Sequence, residues 1–384
     1  MDISKVTVEI FTKLEQEWLS HSPPSVPDSP KPARILSIDG ASSSLPDIAS
    51  SVAASSLVHL EDNIRLRTSD PRASVADFFD LVSGTGSGAI LAALLVADDG
   101  SGRPLFSARS AVHLLQERGR DLFRPRRSLR LLRGGRRFSG SSMEKALREI
   151  FSREDGAALT LRDTCKPLLV PCFDLNSSAP FVFSRADAAE SPSFNFELWK
   201  VCRATSATPG LFQPFEFSSV DGKTSCVAID GGLVMNNPSA VAITHVLHNK
   251  RDFPNVNGVE DLLVLSLGNG TMSSSQSYNP GIGRGSKCST SAIMDIVREG
   301  VSETVDQMLC NAFCFNRADY ARIQGVREKG MESLPFGGKR PTGETNGERI
   351  AEVAHRIVAG GKTSLPPSPY KDLRFALSPL TNGR

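Results

Sequence analysis

No stretch of the chain approaches the ~18 consecutive apolar residues that a membrane span requires. A dominant charge sign is lacking as well. Forty-four Lys and Arg face 42 Asp and Glu for a net charge of +2, which gives no general pull toward polyanions. The cysteines are few and odd in number, at positions 165, 172, 202, 226, 288, 310 and 314. Cys172 (in LLVPCFD) and Cys226 (in CVAID) sit inside apolar, strand-like runs, as buried free thiols of a reducing compartment do. Cys310 and Cys314 are one helical turn apart, but no second Cys/His pair stands near them to complete a zinc site, so no metal is expected. The opening MDISKVTVEIFTKLEQEW carries acids early and no long apolar core, unlike a secretory signal. Together these absences predict a cytoplasmic protein, soluble or peripheral on a membrane.

What the chain does have is enough apolar sequence, 40% of 384 residues, to bury a large core. Residues 1–20 suit an amphipathic helix with Val6, Ile10, Leu14 and Trp18 on one face. A Pro/Ser linker (21–33) follows. A main domain is expected over 34–325, and a C-terminal extension with one helix and a flexible tail over 326–384. The main domain opens on a short buried strand, Arg34 to Ile38, ending at Asp39-Gly40. A helix is predicted from Ser44-Leu45-Pro46-Asp47 to about Leu60. Phe78, Phe79, Leu81 and Val82 form an apolar run of strand type. Gly84-Thr85-Gly86-Ser87-Gly88 makes a tight turn, and Ala89 to Val96 reads as a buried helix.

Further helices are expected at 108–118, 143–151, 238–248, 292–313 and 348–359, and one from Trp199 that breaks at Pro209-Gly210. Further strands are expected at 168–173, 181–183, 226–229 and 262–267, with polar loops at 271–289 and 337–347. Buried strands alternating with helices predict an α/β fold of three layers, with a mostly parallel central sheet covered on both faces. Sites in such sheets lie at the carboxyl ends of strands. The loops at Asp39-Gly40, Gly84-Thr85-Gly86 and Asp230-Gly231-Gly232 should therefore converge on one pocket.

A strand that turns sharply into a helix exposes one residue at its tip, beside the free N–H groups of the helix. Four segments in order, ILSIDG (35–40), DFFDLVSGTGSG (77–88), CRATSATPGLFQPF (202–215) and AIDGGLVMNNP (228–238), resemble the patatin-like lipid acyl hydrolases over about residues 33 to 325. The resemblance implies a Ser–Asp dyad without histidine, and none of the six histidines falls in a loop matched to the site. It makes Asp230 the base, in a motif with Gly231 and Gly232. It places the oxyanion loop at Gly40, Ala41 and Ser42 and the nucleophile elbow between Gly84 and Gly88. The elbow's middle position is Gly86 where the family has serine, a pattern similar to the plant type III subgroup of patatin-related proteins. The oxyanion loop departs too: DGASSSL replaces DGGGxRG.

Ser87 is the nearest substitute nucleophile, with helix capping or packing as its other use, and Ser83 is a remoter one. Loss of a nucleophile from comparable machinery leaves about 10³–10⁴-fold catalysis over water. The resemblance implies hydrolysis of phospholipid or galactolipid acyl esters at a membrane surface, and the vacant nucleophile position makes that hydrolysis slow or absent. The alternative is a catalytically inactive lipid- or protein-binding module. No cofactor is expected. Gly84-x-Gly86-x-x-Ala89 matches a loose dinucleotide fingerprint, but residues 103–107 supply neither the acid nor the strand it needs. One further segment stands out: Arg124, Arg126, Arg127, Arg130, Arg133, Arg136 and Arg137 fall in fourteen residues with no acid. Interleaved with leucines, they suit anionic lipid head groups, or form a solvated loop. They lack the aromatic pattern of a nucleic-acid binder.

Overall fold

The structure is a computed structural model. It describes residues 31–40, 51–98, 100–125, 138–268, 290–314, 316, 319–325, 329–334 and 338–363. The expected N-terminal helix, the linker up to residue 30, the helix start at Ser44, the 271–289 loop and the C-terminal tail lie outside those residues. The chain divides into Met1–Pro32 and Ala33–Arg384, and every described helix and strand belongs to the second unit.

β1 (Ala33–Ile38), buried at every residue and mostly apolar, fixes the centre of the sheet, because such a strand is stable only when covered on both sides. Helix α1 (Val52–Thr68) follows, its first turn capped by the Ser51 hydroxyl, which accepts from Ala54 N at 3.1 Å. It runs past the expected end at Leu60. The run before the tight turn also differs from expectation. Val75–Phe78 is a 3₁₀ turn, because the Asp77 carboxylate accepts the Ser74 N–H at 3.0 Å and closes the chain on itself. Only β2 (Leu81–Gly84) is strand. Helix α2 (Ser87–Val96) is buried all round except at Ser87. It is succeeded by α3 (Ala108–Leu122), α4 (Gly140–Ile150), β3 (Leu168–Asp174), β4 (Ala179–Ser184), α5 (Arg185–Glu190) and α6 (Leu198–Thr205). Then come β5 (Phe215–Ser218), β6 (Ser225–Ile229), α7 (Gly232–Met235), α8 (Ser239–His248), β7 (Leu262–Leu267), α9 (Thr290–Ala312) and β8 (Tyr320–Ile323). An antiparallel ribbon of β9 (Lys329–Leu334) and β10 (Gly338–Thr345) precedes α10 (Asn346–Ala359). The polar loop expected at 337–347 is therefore largely strand. Its pairing is through backbone groups, which need no apolar side chains.

The sheet order is β5-β6-β3-β2-β1-β7-β8, with β4 also paired to β3. β3, β2, β1, β7 and β8 run parallel, while β4, β5 and β6 are antiparallel to their neighbours. Leu36, Ile38 and Val82 face one core with α1, α2, α4, α6 and α10. Ile35, Leu81 and Val264 face a second core with α8 and the end of α9. Helices thus cover both faces of a mostly parallel sheet.

Candidate functional site

Gly86 is the residue between β2 and α2, at φ +54° and ψ −124°. That is the strained left-handed corner a strand-to-helix elbow requires, and glycine enters it at little cost. Gly88 serves a second need: a Cβ there would lie 2.4 Å from the carbonyl oxygen of Asp39 and 2.5 Å from that of Ile38. Its bare backbone lets α2 start hard against the end of β1. The Thr205 hydroxyl secures the corner, accepting Gly86 N–H at 2.9 Å and donating to the Pro171 carbonyl at 2.7 Å. Thr85 Oγ1 donates to the Met235 carbonyl at 2.7 Å, which ties the elbow to α7.

The three predicted loops meet here. A Cβ built on Gly86 would stand 3.6 Å from Gly40 Cα and 3.8 Å from Asp230 Oδ1, in ordinary contact with both. Asp230 arrives from antiparallel β6, whose Ile229 pairs with Phe173, so it comes from a strand running opposite to β1 and β2. Gly84, Gly231 and Gly232 lie in the same two loops, α7 beginning at Gly232. Ser87 is the first residue of α2, half-buried, and the helix cap position is Gly86 instead. Ser83 stays inside the sheet, fully buried and in register with Ser37, away from the elbow tip. Ala41 and Ser42 lie outside the described residues. Gly40 N–H donates to the Asn236 carbonyl at 3.4 Å.

Asp230 is 1% exposed, and every donor that reaches it favours its charged form. Oδ1 accepts Gly232 N–H at 2.7 Å, and Oδ2 accepts the Thr208 hydroxyl at 2.5 Å. Oδ2 is also paired to Arg298 Nη2, which donates in turn to Thr208 Oγ1 at 2.8 Å. Burial pulls the Arg298 guanidinium down to about 10, which leaves it charged at neutral pH. Thr205 and Thr208 come from the CRATSATPG segment, which is held by Arg203. That buried guanidinium lies over the rings of Phe212 and Phe215, 5.1 Å from each centroid, and pairs with Glu144 at 3.5 Å.

Asp39 is engaged away from the elbow. It is locked by Arg322 through Nη1–Oδ1 (2.9 Å) and Nη2–Oδ2 (2.6 Å) and accepts the Ser302 hydroxyl at 2.8 Å. Burial pushes its carboxyl up and Arg322 pulls it back.

Thr205, Thr208, Asn236 and Arg298 were not among the residues the sequence singles out. Asn236 Oδ1, buried without a donor among the described residues, lies 3.0 Å from where a Gly232 Cβ would stand. For Arg298 a signal existed. Asp295, Arg298, Ser302 and Asp306 recur at helical spacing along α9, and all four are buried. Of the arginine segment only Arg124 is described. It is exposed, and the segment's ends are closed by the pairing of Pro125 with Phe138. Phe138 N–H donates to the Leu211 carbonyl at 3.0 Å, beside the Thr208 loop.

This strand–elbow–helix unit and its aspartate loop lie within residues 59–243, which match the model of the family described as patatin-like phospholipase. The chain is 60% identical to "Probable inactive patatin-like protein 9" of Arabidopsis thaliana over the full length of both. It is 40% identical to "Patatin-like protein 6" of the same plant, over 79% of this chain and 67% of that one. With "Patatin-like protein 7", also from Arabidopsis thaliana, it shares 38% over 93% of this chain and 81% of the relative. An elbow tipped by glycine, an aspartate loop beside it and full-length kinship of this degree have one explanation: the chain belongs to the patatin-like family.

Proposed function

We propose that the protein binds acyl esters of membrane lipids, phospholipids or galactolipids, beside Gly86 and hydrolyses them slowly. Water takes the place of the serine hydroxyl. The observation that carries this reading is the geometry at the elbow tip. A Cβ fits at Gly86 without close contact, and a buried carboxylate oxygen, Asp230 Oδ1, faces it at 3.8 Å. In the proposed step a water oxygen bonds to the acyl carbon while its proton passes to Asp230. The ester C–O bond then breaks, and the proton goes to the departing alcohol. Positioned general-base catalysis contributes about 10²–10⁴-fold, far below what a covalent route adds.

A second reading, a lipid-binding protein with no turnover, is favoured by the ion pair on Asp230, and one relative's name calls that protein "probable inactive". Approach from a membrane is supported by α9. Ile293, Ile296 and Val297, spaced to share one face, are 47%, 57% and 39% exposed just before Arg298. The arginine segment adds a cationic contact for anionic head groups.

Co-sedimentation with vesicles of phosphatidylcholine, galactolipid and an anionic phospholipid tests the binding half. The protein is expected in the pellet, more so as anionic lipid increases. Protein left in the supernatant at every lipid concentration overturns the reading.

A further inference from the structure

In a serine–aspartate dyad the carboxylate takes the proton of the serine hydroxyl. Here that hydroxyl is absent, yet Asp230 is fully engaged. Arg298 reaches in from α9, sixty-eight positions further along the chain, and shares Oδ2 with Thr208. Arg298 is 6% exposed, so its charge acts through little water and is felt at close to full strength. A carboxylate held this way is stabilised in its ionised form, and what stabilises that form weakens it as a proton acceptor.

We propose that Arg298 is a positioning residue that holds Asp230 through Oδ2, the oxygen turned away from the missing hydroxyl, and weakens it as a base, so that the site is attenuated at two positions, Gly86 and Arg298. The inference rests on the reading of this pocket as an acyl-ester site, but its test does not need lipid. The space at Gly86 admits a serine Cβ without close contact, so Gly86→Ser rebuilds the nucleophile. A fluorophosphonate probe then reports how well Asp230 activates it: the serine Oγ–P bond forms, the P–F bond breaks, fluoride leaves, and the serine proton goes to Asp230.

Gly86→Ser alone is expected to label slowly. Gly86→Ser/Arg298→Gln keeps a hydrogen-bond donor and removes the charge, and it is expected to label at least about tenfold faster, a fraction of the roughly 10²–10⁴-fold that general-base catalysis supplies. Gly86→Ser/Arg298→Lys keeps the charge and is expected to stay slow. The acidic limb of the labelling rate should lie at higher pH in the Gln variant, because a carboxylate without its cation ionises later. A packing defect would move none of this. Equal rates for Gly86→Ser and its Gln partner, a Lys variant as fast as Gln, or no labelling in any variant overturns the proposal. Where the Gln variant fails to fold, as its far-ultraviolet dichroism shows, a Lys variant that folds and labels faster than Gly86→Ser overturns it equally. Loss of vesicle binding by the natural protein, with the labelling order intact, would instead refute only the lipid reading.

Discussion

Two glycines of one motif have different physical duties. Gly86 occupies a left-handed corner where a Cβ would meet its neighbours at ordinary contact distance, whereas Gly88 sits at φ below zero with two carbonyl oxygens where a side chain would begin. A serine at Gly86 costs on the order of 1 kcal/mol for the backbone conformation alone. An alanine at Gly88 forces α2 away from β1, an overpacking cost of about 1–3 kcal/mol or more. Urea unfolding of the two single variants should therefore place the Gly86→Ser midpoint above that of Gly88→Ala. The reverse order would mean that the elbow is not packed as described. Asp230 belongs to this scale as well. Its place beside the elbow was legible because its loop matches a motif, while its pairing with Arg298 was not, since nothing in local sequence pairs residues that far apart.

Among the elements, α9 departs furthest from ordinary helix logic. A surface helix turns its apolar stripe inward. Over its first half α9 does the opposite, burying Asp295, Arg298 and Ser302 and exposing Ile293, Ile296 and Val297. The buried polar groups are matched by the site and the sheet end: Arg298 by Asp230, and Ser302 by Asp39 and Arg322. The outward apolar residues suit a lipid surface. Ile296→Glu should leave the unfolding midpoint nearly unchanged, because exposed positions usually shift stability by no more than about 0.5 kcal/mol. It should reduce vesicle co-sedimentation several-fold. Unaltered binding would remove α9 from the membrane-facing surface.

At the scale of the whole molecule, the fold was legible because its core strands are apolar on both faces and its helices repeat at 3.6 residues. β1, β2, β7 and α2 needed only their continuous, mostly apolar runs. Local polar closures hid the remainder. The Ser74–Asp77 contact drew the start of an apolar run into a 3₁₀ turn, and backbone pairing made a polar stretch into β10. The antiparallel entry of β6 was invisible too, yet it is what carries Asp230 to the elbow. In the site, the glycine tip could be read from one letter of sequence, whereas the ion pair between Asp230 and Arg298 needed the packed structure.

The most direct measurement is fatty-acid release from mixed phospholipid and galactolipid vesicles by the natural protein, with Asp230→Ala and Ser87→Ala beside it. Slow release above the protein-free rate, abolished by Asp230→Ala and kept by Ser87→Ala, is the predicted result. Release at the protein-free rate by all three proteins would contradict the account and leave a lipid-binding protein without turnover.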